Sequence, residues 1–135
     1  MTGASGSHVV EHTSAFAFEP TVERVAAAIE AAGMTIFSRI DHAAGARAAG
    51  LAMPPATVLI YGHAKGGTPI MLAAPLAALD LPLRVLIRED EQGRTQLAFH
   101  PVADMLLQAG VPDTLATRLA PAQQLLVRAI QAAGA

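Results

Sequence analysis

The chain contains no cysteine and no tryptophan, and it has a single tyrosine and four phenylalanines in 135 residues. Without cysteine there is no disulfide, no thiolate metal site and no thiol nucleophile. So few aromatic side chains leave little with which to stack exposed nucleobases, which counts against single-stranded nucleic acid as a partner. Charge is scarce too: Asp and Glu number 11 against nine Lys and Arg, a formal balance of −2. A nearly neutral chain has no electrostatic reason to seek a polyanion. Long hydrophobic runs are also missing. Mean hydropathy is positive, at +0.41, yet no stretch approaches the roughly 20 apolar residues that span a bilayer.

What the chain does have is apolar and small. Hydrophobic residues are 53% of the total and charged ones 15%, too apolar a mixture for intrinsic disorder. The length suits one domain. Residues 1–7 are small and polar, with neither a basic start nor an apolar signal core, so they are expected to form a disordered leader ahead of a single domain over residues 8–133. The absence of an export signal gives a cytoplasmic expectation. Eight arginines against one lysine, Lys65, fit the codon bias of a GC-rich bacterial genome.

Periodicity assigns the elements. His8–Phe18 alternates weakly, as a strand does, and Glu19-Pro20 then opens a helix whose Val22, Val25, Ala26 and Ile29 recur at helical spacing before Gly33. Met34–Asp41 alternates, placing Met34, Ile36, Ser38 and Ile40 on one face. Asp41 is placed to cap a short helix closed by Gly50. The unbroken apolar run Thr57–Tyr61 reads as a strand covered on both faces, at the centre of the sheet. The turn Gly62–Gly67 follows, with Thr68-Pro69 expected to cap and begin the next helix. Leu83–Arg88 and Thr95–Phe99 form a hairpin about the turn Asp90–Gly93. Pro101–Gln108 is a helix, and Leu115–Ile130 an amphipathic stretch that Pro121 kinks or restarts. The order β-α-β-α-β-α-β-β-α-α predicts an α+β fold, a mixed β-sheet with helices packed mainly on one face.

Chemistry is expected near the glycine turn. A strand, a glycine-rich turn and a helix start aim backbone N–H groups at an anion. Gly62 and Gly67 have the five-residue spacing of the nucleotide-binding loop, but Thr68 follows Gly67 directly, where that motif needs lysine. Nucleotide hydrolysis is therefore set aside, and a small anionic or polar ligand is favoured over it. A purely structural turn is the plain alternative. Arg39, Asp41 and His42 stand together at a strand end, explicable either as a site or as a local ion pair. Arg84 and Arg88 leave one strand face, where they either clamp a carboxylate or solvate the face. His42, His63 and His100 each follow or end a strand and would form a site only if they converge. His8 and His12 share a strand face at i, i+4, but zinc or copper needs three or four converging ligands and neither H-E-x-x-H nor H-x-H occurs, so no metal is assigned. No nucleophile elbow or glycosidase-like carboxylate pair is present either.

Arg39-Ile40-Asp41-His42, Ala46, Gly50-Leu51, Gly62, Lys65, Gly67-Thr68-Pro69, Met71, Ala78-Leu79-Asp80-Leu81-Pro82-Leu83 and Glu89-Asp90 form a set of short motifs. Together they resemble the DUF302 family of small bacterial and archaeal proteins. The resemblance runs from about Phe18 to Ile130. It implies an α/β fold with a mixed sheet and a homodimer, and it supplies no reaction and no cofactor. The chain differs from many members at His63-Ala64, where Asn-Pro is common, and near Phe99-His100, where Tyr-Asn is common.

The expectation is a dimeric domain that binds a small anionic or polar ligand through Arg39, His42, Lys65, Gly66, Gly67, Thr68 and Asp80, with no nucleic acid and no membrane as partner. The alternatives are an enzyme with His42 or His63 as general base and a histidine-based metal or redox accessory protein.

Overall fold

The computed structural model describes residues 8–132. The expected leader, residues 1–7, lies outside them. Five strands form one sheet: β1 (Val10–Thr13), β2 (Thr35–Asp41), β3 (Ala56–Gly62), β4 (Leu83–Glu89) and β5 (Thr95–Phe99), in the spatial order β1-β5-β4-β3-β2. The helices are α1 (Phe18–Ala31), α2 (His42–Ala48), α3 (Ala64–Ala73), α4 (Val102–Gln108), α5 (Asp113–Ala116) and α6 (Ala120–Ala129), with 3-10 turns at Pro75–Asp80 and Thr117–Leu119. The class is α+β, and strands and helices follow the expected order.

The sheet itself is antiparallel in every pairing, not mixed. A mixed sheet follows only if the intervening helices carry the chain across to the far end of the next strand. Here α2 and α3 return it to the end it left, so β2, β3 and β4 alternate in direction. The segment β1-α1-β2 is not a pair of neighbouring strands either. Its two strands form opposite edges, and α1 traverses the sheet between them.

One face carries the core. Leu59 and Tyr61 of β3, Val85 and Ile87 of β4 and Leu97 of β5 meet Val22, Val25 and Ile29 of α1, Leu106 of α4 and Leu126 of α6. The other face carries Val58, Ile60 and Leu86, which are half-buried and stand outside that cluster. The apolar run of β3 is thus interior but covered fully on one side only, and β4 holds the centre of the sheet. In β2 the alternation breaks at Phe37: Ile36 pairs with Tyr61 and Ser38 with Ile60, so two residues oppose one. This bulge sends Ile36 to the core face and Ser38 and Ile40 to the other.

Ends are set locally. Asp41 Oδ1 accepts the Ala44 N–H at 2.9 Å and caps α2, and Gly50 takes the positive φ (+81°) that closes it. Pro121 falls in the first turn of α6 and restarts the helix rather than kinking it. The hairpin turn is tied by Asp90, whose carboxylate accepts N–H groups of Gln92 and Arg94 and the Gln96 amide, all at 2.9 Å.

Candidate functional site

The turn after β3 folds differently from its sequence expectation. Helix α3 begins at Ala64, so Gly66, Gly67, Thr68 and Pro69 lie inside it, and Thr68 is not its cap. The cap is His63, whose Nδ1 accepts the Lys65 N–H at 3.0 Å. Thr68 and Pro69 mimic a helix start, but the side chain two residues before Lys65 satisfies that donor first. The glycines therefore form a helix wall rather than an open anion-binding loop.

That wall encloses a cavity of about 270 Å³. Gly62, His63, Gly66, Gly67, Thr68 and Met71 form one side, and Leu81, Pro82 and Leu83 another. Met34 and Phe37 close it from β2 and the residue before it, and Leu119 and Ala122 from the C-terminal helices. The Leu81–Pro82 peptide is cis. Only His63 and Thr68 bring polar side chains to the lining. Because a backbone N–H can only donate, Nδ1 of His63 must accept, and the neutral ring then carries its proton on Nε2. His63 thus presents a donor, and its remaining nitrogen has no free lone pair with which to act as a base.

The sequence-derived candidates divide into two groups. Gly66, Gly67 and Thr68 line the cavity; Arg39, His42, Lys65 and Asp80 do not. Arg39 reaches Glu23 of α1 at 3.2 Å rather than Asp41, which is engaged as a cap. His42 lies exposed in the first turn of α2. Lys65 and Asp80 are exposed, and neither has an ion-pair partner among the described residues.

The three strand-end histidines do not converge, and topology is the reason. Strands β2 and β3 are antiparallel, so His42 and His63 leave opposite ends of the sheet. His100 leaves the same end as His63 but two strands away, with Nδ1 2.7 Å from the His8 carbonyl oxygen. No group of three His, Asp or Glu side chains could hold a metal ion among the described residues. Arg84 and Arg88 do share a face, opposite Ile60 and Ala56. Arg88 is taken up by Glu11 at 3.1 Å and Glu91 at 3.7 Å.

Sequence reasoning missed the apolar walls. Met34 reads from the sequence as one residue of an alternating strand, and Leu119 and Ala122 fall within the amphipathic stretch Leu115–Ile130. Their spacing held no hint that these residues would face the glycine segment across a gap.

Residues 10–133 match the family described as "Domain of unknown function DUF302". The chain belongs to the DUF302 family. Its fold is similar to that of a solved DUF302 protein from Bacillus stearothermophilus, with a TM-score of 0.77 at 13% identity over 90% of this chain and 94% of that one. Over 103 residues, 76% of this chain, it is 39% identical to the fluoride-specific ion channel FluC 1 of Brucella suis biovar 1 (strain 1330) and to FluC 2 of Brucella melitensis biotype 1. Those residues are 41% and 38% of the two relatives, so this DUF302 chain spans less than half the length of either. No helix among its described residues is long and apolar enough to cross a membrane.

Proposed function

We propose that this DUF302 domain is a dimeric binding module whose ligand is a small molecule with an apolar body and one hydrogen-bonding end. The observation that carries this reading is the cavity beside Gly62–Thr68, apolar on every wall except at His63 and Thr68. Its volume falls just below the roughly 300 Å³ at which sites for drug-sized ligands begin, which suits a small molecule. The apolar body would lie against Met34, Met71, Leu81 and Leu119. An acceptor oxygen, such as that of a carboxylate, would face the His63 Nε2–H and the Thr68 hydroxyl. Arg39 and Lys65, outside the lining, leave the anionic end of such a ligand without a cation in the cavity. Hydrogen bonds and apolar contact are then the main sources of affinity.

Amide NMR spectra titrated with octanoate, benzoate and inorganic phosphate test the proposal. Saturable shifts confined to residues around Gly62–Thr68 and Leu119 are expected with the first two and none with phosphate. Ala122→Phe, which fills the cavity, is expected to abolish them. Octanoate or benzoate shifts that persist in Ala122→Phe, or none in the wild type, would sink it.

A second reading rests on the identity with the two channel relatives. In it the domain is an accessory module to a membrane fluoride channel, and the membrane spans belong to the part of those relatives that this chain does not match. Fluoride efflux from liposomes carrying the Brucella suis protein, with and without the matched 103 residues, tests it. Conduction that survives the deletion but changes in rate is expected. Conduction indifferent to the deletion counts against it.

A further inference from the structure

The first turn of α3, which walls the cavity, is a poor helix on its own. Gly66 and Gly67 sit inside it, and glycine is the weakest helix former after proline. Pro69 follows Thr68 within the helix, where it brings no N–H to the Lys65 carbonyl and crowds it. The turn has no acidic residue, and Lys65 places a cation at the positive end of the helix dipole. Its own composition does not favour a wound turn.

His63 fastens it. The His63 carbonyl oxygen accepts the Gly66 N–H at 3.0 Å and the Gly67 N–H at 3.1 Å, and ring Nδ1 accepts the Lys65 N–H at 3.0 Å. Three successive N–H groups at the open end of the helix thus end on one residue. The ring bond exists in one protonation state only. A second proton on the imidazole goes to Nδ1, which then donates and can no longer accept. It also sets a second cation beside Lys65 at the positive end of the dipole. Histidine changes charge between about pH 8 and 5, and the exposed His63 ring meets solvent protons directly. The titratable residues on the elements around it are Lys65 on α3, Asp80 and Arg84 on either side of Leu81–Leu83, and Arg118 beside Leu119. Arg39 and Asp41 lie towards the far end of β2, and Tyr61 is buried in the core. None of these forms an ion pair with His63 among the described residues.

We infer that His63 is an acid-sensitive latch on the cavity: proton uptake at Nδ1 unfastens the first turn of α3, and the wall formed by Ala64, Gly66, Gly67 and Thr68 frays open. Above the histidine range the turn is wound and the cavity is closed on that side. Both are lost as pH falls through that range. The consequence for ligand rests on the cavity being the binding site proposed above: binding is tighter at neutral pH and weakens in acid. The latch itself needs no ligand, so its failure and the failure of the binding reading are separate results.

NMR of the ligand-free chain at about pH 7.5 and about pH 5 tests the inference. At the higher pH the ring nitrogen shifts of His63 should show a bare Nδ1 and a protonated Nε2, and the Cα carbon shifts of residues 64–68 should be helical. At the lower pH those Cα shifts are expected to move about halfway to coil values or further, since the lost cap and the added charge together favour the open turn by about 5- to 30-fold. His63→Asn, whose side-chain oxygen caps without titrating, should stay helical at both pH values, and His63→Ala should be frayed at both. His63 is exposed, so neither variant disturbs the core, and shifts away from the cavity walls should hold. A wild-type turn still helical at the lower pH overturns the inference, as does a helical turn in His63→Ala. A loss in acid that persists in His63→Asn assigns the effect to another group and also overturns it. Benzamide is uncharged at both pH values, so its binding reports the site alone. The wild type should bind it about 2- to 10-fold more weakly at the lower pH, in proportion to the fraction of closed turn. Equal affinity while the turn frays overturns the latch as a control on the cavity. No benzamide binding at either pH refutes the cavity as a ligand site, and the Cα shifts then decide the latch by themselves.

Discussion

The buried side chain of Gln123 in α6 holds the start of α4: its Oε1 accepts the Val102 N–H at 2.9 Å, and its Nε2 donates to the His100 carbonyl at 2.9 Å. Val102 is buried, so its N–H has little access to water. Gln123→Leu should therefore cost about 1–3 kcal/mol, the penalty for a stranded buried donor. Gln123→Glu keeps the acceptor but buries a carboxylate whose second oxygen faces the His100 carbonyl, so at neutral pH the loss should be at least as large. Urea unfolding of the three proteins checks the order; equal stability of wild type and Gln123→Leu would show that the bridge contributes nothing.

Asp90 makes the hairpin turn sensitive to acid. The Gln96 amide, then the Arg94 backbone N–H, hold its carboxyl down at about 2, below its ordinary 3.8. A depressed folded-state value means that its contribution is fully present above the unfolded value. That contribution is lost as pH falls from about 4 through 2. Wild type should lose more stability than Asp90→Asn between pH 5 and pH 2.5. Parallel losses in the two proteins, measured by urea midpoints, would contradict this.

Tyr61 is fully buried, and its hydroxyl has no hydrogen-bond partner among the described residues. Burial pushes the phenol well above its usual value. Removing an unpaired buried hydroxyl relieves a desolvation cost, so Tyr61→Phe should leave stability unchanged or raise it by about 1 kcal/mol. A clear loss on thermal unfolding would point to a partner that this hydroxyl does have in solution.

Gly66 faces Leu119 closely. A Cβ at position 66 would stand 3.1 Å from Leu119 Cδ2, the end of a flexible side chain. Alanine in a helix is worth up to about 1 kcal/mol over glycine. In Gly66→Ala that gain should be mostly offset by displacing Leu119. In a Leu119→Ala background the same substitution should stabilise by close to the full amount. A double-mutant cycle in urea reads the difference, and strict additivity would mean that the two residues do not press on each other.

Local patterns determined much of this protein. The spacing of Val22, Val25 and Ile29, the Asp41 cap, the Gly50 stop, the Asp90–Gly93 turn and the restart at Pro121 are all set by residues within a few positions, through hydrogen bonds and backbone angles that neighbours alone decide. The α+β class follows from the order of those elements. So does family membership, which is written in short motifs along the chain.

Tertiary structure decided the rest. Whether α2 and α3 cross the sheet or return to the same end depends on which strands pair, and pairing is a long-range choice. That choice made the sheet antiparallel, sent His42 and His63 to opposite ends and kept Arg39 and His42 out of the cavity lining. The Phe37 bulge put Ile36 and Ile40 on opposite faces, which no alternation count could anticipate. At Gly62–Thr68 a local signal also failed, because His63 captured the Lys65 N–H and helix α3 began five residues early. The cavity exists because Met34, Leu81 and Leu119, distant in sequence, come together around the glycine-bearing start of α3.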